Sequence, residues 1–178
     1  MRRARVPSPA MTTQPRIAII GAGFGGLAAA IELERAGIRS YTVLERAGEV
    51  GGVWQANTYP GAACDVPSTI YQFSFALKED WSRRFGSQAE IREYLREVSA
   101  EYGVRDRVRF NTEVVAATFD EERGSWTVEL DEGDALEVDV LICATGQLSR
   151  PKLPEVPGRE RFSGAQFHSA SHRSLPTS

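Results

Sequence analysis

Residues 16–45 read RIAIIGAGFGGLAAAIELERAGIRSYTVLE, and this stretch decides the fold. Arg16–Ile20 is a short apolar, β-branched run of the kind that forms a strand buried on both faces. Small residues follow at once, and Leu27, Ile31 and Leu33 then mark a helix that closes at Gly37. The run 40–45, SYTVLE, supplies a second strand ending at Glu45. Strand, helix and strand within about 30 residues make one βαβ unit.

Gly21, Gly23 and Gly26 match G-x-G-x-x-G between that strand and helix, and Glu45 stands 24 residues after the first glycine. Each glycine has a mechanical reason. Gly21 permits the tight turn, Gly23 lets a pyrophosphate approach the backbone, and Gly26 lets helix and strand pack closely. The N-terminal end of the helix presents free N–H groups and the positive end of its dipole to those phosphates. Glu45 is positioned to accept hydrogen bonds from ribose hydroxyls, and its charge repels a 2′-phosphate. The site therefore suits FAD or NAD rather than NADP.

The rest of the chain fits around this unit. With 178 residues, 42% hydrophobic and 25% charged, it has the size and composition of one domain with a real core. A net charge of -3 without a basic stripe argues against nucleic acid as a partner. No run approaches about 18 consecutive apolar residues, so no membrane span is expected. Cys64 and Cys143 lack metal-site or redox-motif spacing and read as reduced thiols of a cytoplasmic protein. His168 and His172 have i, i+4 spacing but no third ligand and a doubtful helix, so no metal site is expected. With no histidine in the folded body, a Ser or Cys nucleophile lacks a base. Residues 1–15, basic and Pro-rich, read as a disordered tail within which Met11 could be the start.

Arg46–Phe75 is a long Gly- and Pro-rich loop, a type that is usually functional. Ser87 opens a helix with a capping box to Glu90, and its apolar stripe is Ile91, Tyr94, Leu95, Val98 and Tyr102. VRFNTEVVAATFD, SWTVEL and ALEVDVLICAT read as strand material, the last as a buried central strand ending at Thr145 and Gly146. A small β-meander is expected between Asn111 and Leu136. The predicted fold is α/β: a three-layer Rossmann-like FAD-binding domain over 16–150, followed by a connector over 151–178.

Residues 45–75, ERAGEVGGVWQANTYPGAACDVPSTIYQFSF, carry Glu45, Gly51, Gly52, Trp54, Tyr59, Pro60, Gly61, Asp65 and Tyr71. Their identities and spacing resemble the segment after the second strand in flavin-dependent monooxygenases, most closely those of the Baeyer-Villiger type. Downstream, Ile142–Gly146 resembles the family's Ala-Thr-Gly strand end. Phe162, Gly164 and His168 match the first part of its F-x-G-x-x-x-H-x-x-x-W fingerprint, whose tryptophan position holds His172.

The resemblance implies FAD as cofactor, NADPH as reductant, and oxygen plus a small-molecule substrate as reactants. It implies oxygenation of ketones or soft heteroatoms through a C4a-peroxyflavin. By the same resemblance, Gly21, Gly23, Phe24 and Gly26 would cradle the pyrophosphate, and Glu45 with Arg46 would hold the adenosine half. Val53 and Trp54 would run beside the flavin, with Tyr71 and the catalytic candidate Asp65 near its ring. Val114 would offer backbone groups to adenine, and Gly52, Thr145 and Gly146 complete the cofactor-binding set. Trp54 and Tyr71 suit core aromatics equally, and Asp65 suits a turn cap.

The family also needs a second glycine motif for NADPH and an arginine opposite Asp65. This sequence holds one such motif, so the chain reads as an incomplete two-dinucleotide-binding-domain flavoprotein, truncated and inactive alone. Alternatives are another two-dinucleotide flavoprotein, of the N-hydroxylase or amine oxidase type, or a non-catalytic nucleotide-binding remnant. Oligomeric state leaves no readable trace.

Overall fold

The computed structural model describes residues 14–169. Most of the expected tail, the alternative start at Met11, and His172 at the tryptophan position of the fingerprint lie outside the described residues.

The predicted βαβ unit forms as β1 (Ile17–Ile20), α1 (Phe24–Arg35) and β2 (Tyr41–Leu44). A four-residue helix α2 (Val53–Ala56) follows, then α3 (Gln88–Glu101) and a 3-10 turn at Arg105–Arg107. The strands β3 (Val108–Arg109), β4 (Val114–Asp120), β5 (Ser125–Leu130), β6 (Ala135–Val138) and β7 (Val140–Cys143) complete the order, with a last 3-10 turn at Arg159–Arg161. Two sheets result: a parallel one in the order β3-β2-β1-β7 and an antiparallel meander, β4-β5-β6.

Alternation along the parallel strands sorts side chains into two cores. Ile17, Ile19, Tyr41 and Val43 pack with Leu27 and Ile31 of α1 and with Tyr94, Leu95 and Val98 of α3. Ala18 and Leu44 face the other way, onto Val128, Leu130 and Val138 of the meander. Helices, parallel sheet and meander are thus the three expected layers, and the meander falls in the expected place.

Three local expectations change. The run ALEVDVLICAT is two strands in two sheets, and β7 stands at the edge of the described parallel sheet with Val140 and Cys143 exposed. Asp139 makes the break: its Oδ2 accepts from Arg16 N at 2.8 Å and its Oδ1 from Arg16 Nη2 at 2.8 Å, while its own N–H donates to Arg16 O at 2.8 Å. The backbone N–H groups of Asp139 and Val140 both donate to Arg16 O, so the chain leaves β5 after Val138 and joins β1 from Val140. VRFNTEVVAATFD divides likewise into β3 and β4, because Asn111 adopts a positive φ of 53° and donates its N–H to Ala47 O. The capping box is half-made. Ser87 Oγ accepts from Glu90 N at 3.3 Å, but the Glu90 carboxylate turns instead to Ser82 N and Oγ, each at 2.8 Å.

Candidate dinucleotide site

The C-terminal ends of β1, β2 and β7 converge on the glycine turn. Gly21 leaves β1 at φ 98°, and a Cβ there would come 2.7 Å from Ala144 O and 3.7 Å from Thr145 Cα. A Cβ on Gly26 would collide with Gly21 O and lie 2.9 Å from Gly21 C. Gly23 differs: it has an ordinary φ of -82°, and its nearest neighbour to a Cβ would be Gly52 Cα at 3.5 Å. Two glycines are thus required by the protein's own packing, while the third would accept a Cβ at ordinary van der Waals distance. Gly23 also caps α1 without a side-chain hydrogen bond, leaving the first-turn N–H groups of the helix for another acceptor.

Glu45 is buried and grips this turn. Its Oε2 accepts from Ala22 N at 2.7 Å and its Oε1 from Ala47 N at 2.9 Å. Carboxylates that accept backbone N–H groups are strong acceptors, and each oxygen keeps a further lone pair for a hydroxyl. Glu45 O accepts from Thr112 N at 3.0 Å, two residues before Val114. Val114 itself opens β4, pairs with Leu130 and packs on the meander core. The exposed Arg46 donates to Ser149 O at 3.1 Å, tying the end of β2 to the segment after Gly146, whose φ is 71°.

We expect Glu45→Ala, which orphans the buried Ala22 N–H, to destabilise the chain by about 1–3 kcal/mol in urea unfolding followed by circular dichroism. A change near zero would show that the carboxylate does not hold the turn.

A second glycine turn closes the cradle. Gly51 and Gly52 adopt φ of 129° and 56°, Gly51 N donates to Ala22 O at 2.9 Å, and α2 starts directly after them. Val53 and Trp54 are therefore delivered beside the first turn. Trp54 Nε1 donates to Tyr71 OH at 3.1 Å, and the two rings meet edge-on at 5.6 Å. Phe24, the first residue of α1, lies 5.1 Å from Tyr71 and 5.0 Å from Phe73. Burial pushes the Tyr71 phenol above its usual range against the hydrogen bond from Trp54, and the nearby Cys64 and Asp65 push it the same way. Asp65 itself is exposed at the edge of this aromatic group.

Of the residues predicted from sequence, Gly21, Gly23, Gly26, Gly52, Glu45 and Thr145 come together around the turn, while the exposed Gly146 has no neighbour within 4 Å of an added Cβ. Phe24, Trp54 and Tyr71 form its aromatic flank, with Val53 and the exposed Asp65 beside them, whereas Val114 packs on the meander core and Arg46 reaches Ser149 O. Sequence reasoning missed Ala22 and Ala144, and it named Gly51 in the motif without giving it a role. The Gly51-Gly52 doublet was a usable signal for that role; contacts of Ala22 and Ala144 arise only when distant strands pair.

The family described as pyridine nucleotide-disulphide oxidoreductase matches residues 18–175. The chain belongs to that family. Among its curated relatives, a Baeyer-Villiger monooxygenase of Streptomyces coelicolor is 51% identical over 155 residues, covering 87% of this chain and 30% of that protein. A Baeyer-Villiger monooxygenase of Pseudomonas aeruginosa is 38% identical over 163 residues, covering 92% and 31%. The solved structure of an oxidized steroid monooxygenase bound to NADP superposes with a TM-score of 0.75 at 38% identity, over 89% of this chain and 31% of the other. OTEMO in complex with FAD and NADP gives 0.78 at 36% identity, over 93% and 31%.

The Baeyer-Villiger resemblance read from residues 45–75 is therefore borne out, and this chain spans about 30% of the length of the curated relatives it matches. Among the described residues no helix is long and apolar enough to cross a membrane.

Proposed function

We propose that this chain is the FAD-binding portion of an NADPH-dependent flavin monooxygenase of the Baeyer-Villiger type, acting on a ketone or a soft heteroatom with oxygen in the cytoplasm. Residues 16–150 form the FAD-binding unit and 151 onward the connector. The observation that carries the reading is the turn at Gly23, whose φ is ordinary and whose added Cβ would make only van der Waals contact, set among Gly21, Gly26, Gly51 and Gly52, where backbone conformation or packing demands glycine. A related chain of known structure carries FAD and NADP.

Bound FAD would accept two electrons from NADPH and deliver them to oxygen, the chemistry that the protein itself cannot supply. The chain's own residues do the rest. Gly23 and the first N–H groups of α1 receive the pyrophosphate, favoured by the helix dipole. Glu45 accepts from the ribose and repels a 2′-phosphate, which selects FAD over NADP at this turn. Trp54, Tyr71 and Phe24 form an apolar wall that keeps water from the flavin edge. Asp65, exposed beside that wall, offers a carboxylate toward a cation from elsewhere in the full-length enzyme.

Purified chain incubated with FAD and desalted should retain yellow colour and flavin absorption. A colourless protein overturns the reading. The sequence has one G-x-G-x-x-G, so NADPH should not rapidly bleach the bound flavin; rapid bleaching would place a nicotinamide site within these residues.

A further inference from the structure

Two consecutive glycines at positive φ give the Gly51–Gly52 turn a backbone conformation that side-chain-bearing residues rarely adopt. A turn of that kind receives a ligand well only when something else fixes it, since ordering it at the moment of binding weakens affinity. The neighbouring helix supplies candidates. Gln88, Arg92 and Arg96 recur every fourth residue and so form one stripe along α3. All three face the segment from Glu49 to Gln55. Gln88 Nε2 donates to Trp54 O, Arg92 Cγ would lie 3.7 Å from a Cβ on Gly51, and Arg96 Nε is 3.4 Å from Glu49 Oε2. Glu49 Oε1 also accepts from Arg105 Nη1 and, at 2.9 Å, from Val50 N.

We propose that this stripe, with Glu49 as its anionic anchor, is the positioning element that holds the Gly51–Gly52 turn ready for the cofactor; the proposal rests on the FAD reading above. Glu49 is tied to Arg96 and Arg105. They act through Val50, which is fully buried, and Gly51, whose N–H is fixed to Ala22 O.

Two buried side-chain atoms among the described residues lack a partner, Arg92 Nε and Gln55 Oε1, and both side chains pack against Gly51. The grip is thus unsatisfied at its centre and anchored at its ends.

Charge is central to the anchor. Burial would raise the Glu49 carboxyl, but Arg105, the Val50 N–H and Arg96 together hold it below the usual carboxylate range. Arg96 is shared with Glu93, whose Oε2 accepts from its Nη1 at 2.8 Å; these are the charged groups facing Glu49 from α3 and the 3-10 turn. A depressed carboxylate contributes stability above its unfolded pKa and loses it as pH falls through the folded value. Cofactor affinity should therefore decline with acidification through that window.

The test is Glu49→Gln, nearly isosteric and uncharged. In the ligand-free chain the Gly51 amide should exchange its hydrogen about tenfold faster, and the FAD dissociation constant should rise about tenfold by fluorescence titration, the scale of one charge-assisted hydrogen bond. The acid limb of the affinity profile should flatten in the variant, and Glu49→Asp should recover part of the loss. Arg96→Gln, at the other end of the pair, should move the same readouts in the same direction. A wild-type chain that takes up FAD, beside variants with unchanged Gly51 exchange and affinity, overturns the positioning role. A wild-type chain that takes up no FAD overturns the underlying reading and the proposal with it.

Discussion

Gly26→Ala is expected to cost at least about 4 kcal/mol of folding stability, an exceptional value for one methyl group. The added carbon would collide with the carbonyl oxygen of Gly21 and approach its carbon to 2.9 Å. Neither side can yield cheaply. Gly21 is itself pinned, with its N–H on Leu44 O at 2.8 Å and Ala144 O 2.7 Å from where its own Cβ would be. Gly26 is buried on α1 beside Leu27, so the helix can retreat only by opening the core with Ile19 and Val43. Urea unfolding followed by circular dichroism measures the cost. A loss below about 1 kcal/mol would mean that α1 slides outward without penalty, against the close packing of such interiors.

The opposite outcome is expected three residues earlier. Gly23→Ala should fold with a stability change below about 1 kcal/mol, because its φ is ordinary and its Cβ would make only van der Waals contact with Gly52. Its FAD affinity should nevertheless fall about 100-fold, or about 2.7 kcal/mol, since the methyl group stands where backbone and pyrophosphate are to meet. Flavin fluorescence titration of folded variant and wild type decides it. Equal affinities would mean that the phosphates do not lie over Gly23. Together the two substitutions separate a glycine needed by the fold from one needed by the ligand, although the motif treats them alike.

The βαβ unit and its glycines were legible because their causes are local: apolar runs of strand length, a helix stop at Gly37, and an acid at the end of the second strand. The meander was legible from its turn residues, Glu121–Gly124 and Asp131–Asp134. The long apolar run near Cys143 was misread because hydrophobicity reports burial, not which sheet does the burying. Val138 is buried on the meander and Leu141 packs against the same core from the parallel sheet, so one continuous pattern serves two ladders. The only local sign of the break is Asp139, and its meaning depends on Arg16. The grip of α3 on the Gly51–Gly52 turn was equally hidden, since the spacing of Gln88, Arg92 and Arg96 does not say what they face until α2 is placed against them. Glu90 shows the converse: a correct capping spacing was overridden by a better partner at Ser82.

The pairing of β1 with β7 joins residues at opposite ends of the described chain; Arg16 and Asp139, which seal it, are 123 residues apart. Contacts of such separation carry the largest loop-closure cost and slow the folding of sheets that depend on them. The βαβ unit can assemble as soon as it leaves the ribosome, but the Ala144 carbonyl that backs Gly21 arrives only after the whole meander has been made. Until then β1, paired with β2 on one side only, presents an open apolar edge, the kind of surface that drives misassembly. The cradle, compact as a motif, is thus completed only by a contact between segments far apart in the chain.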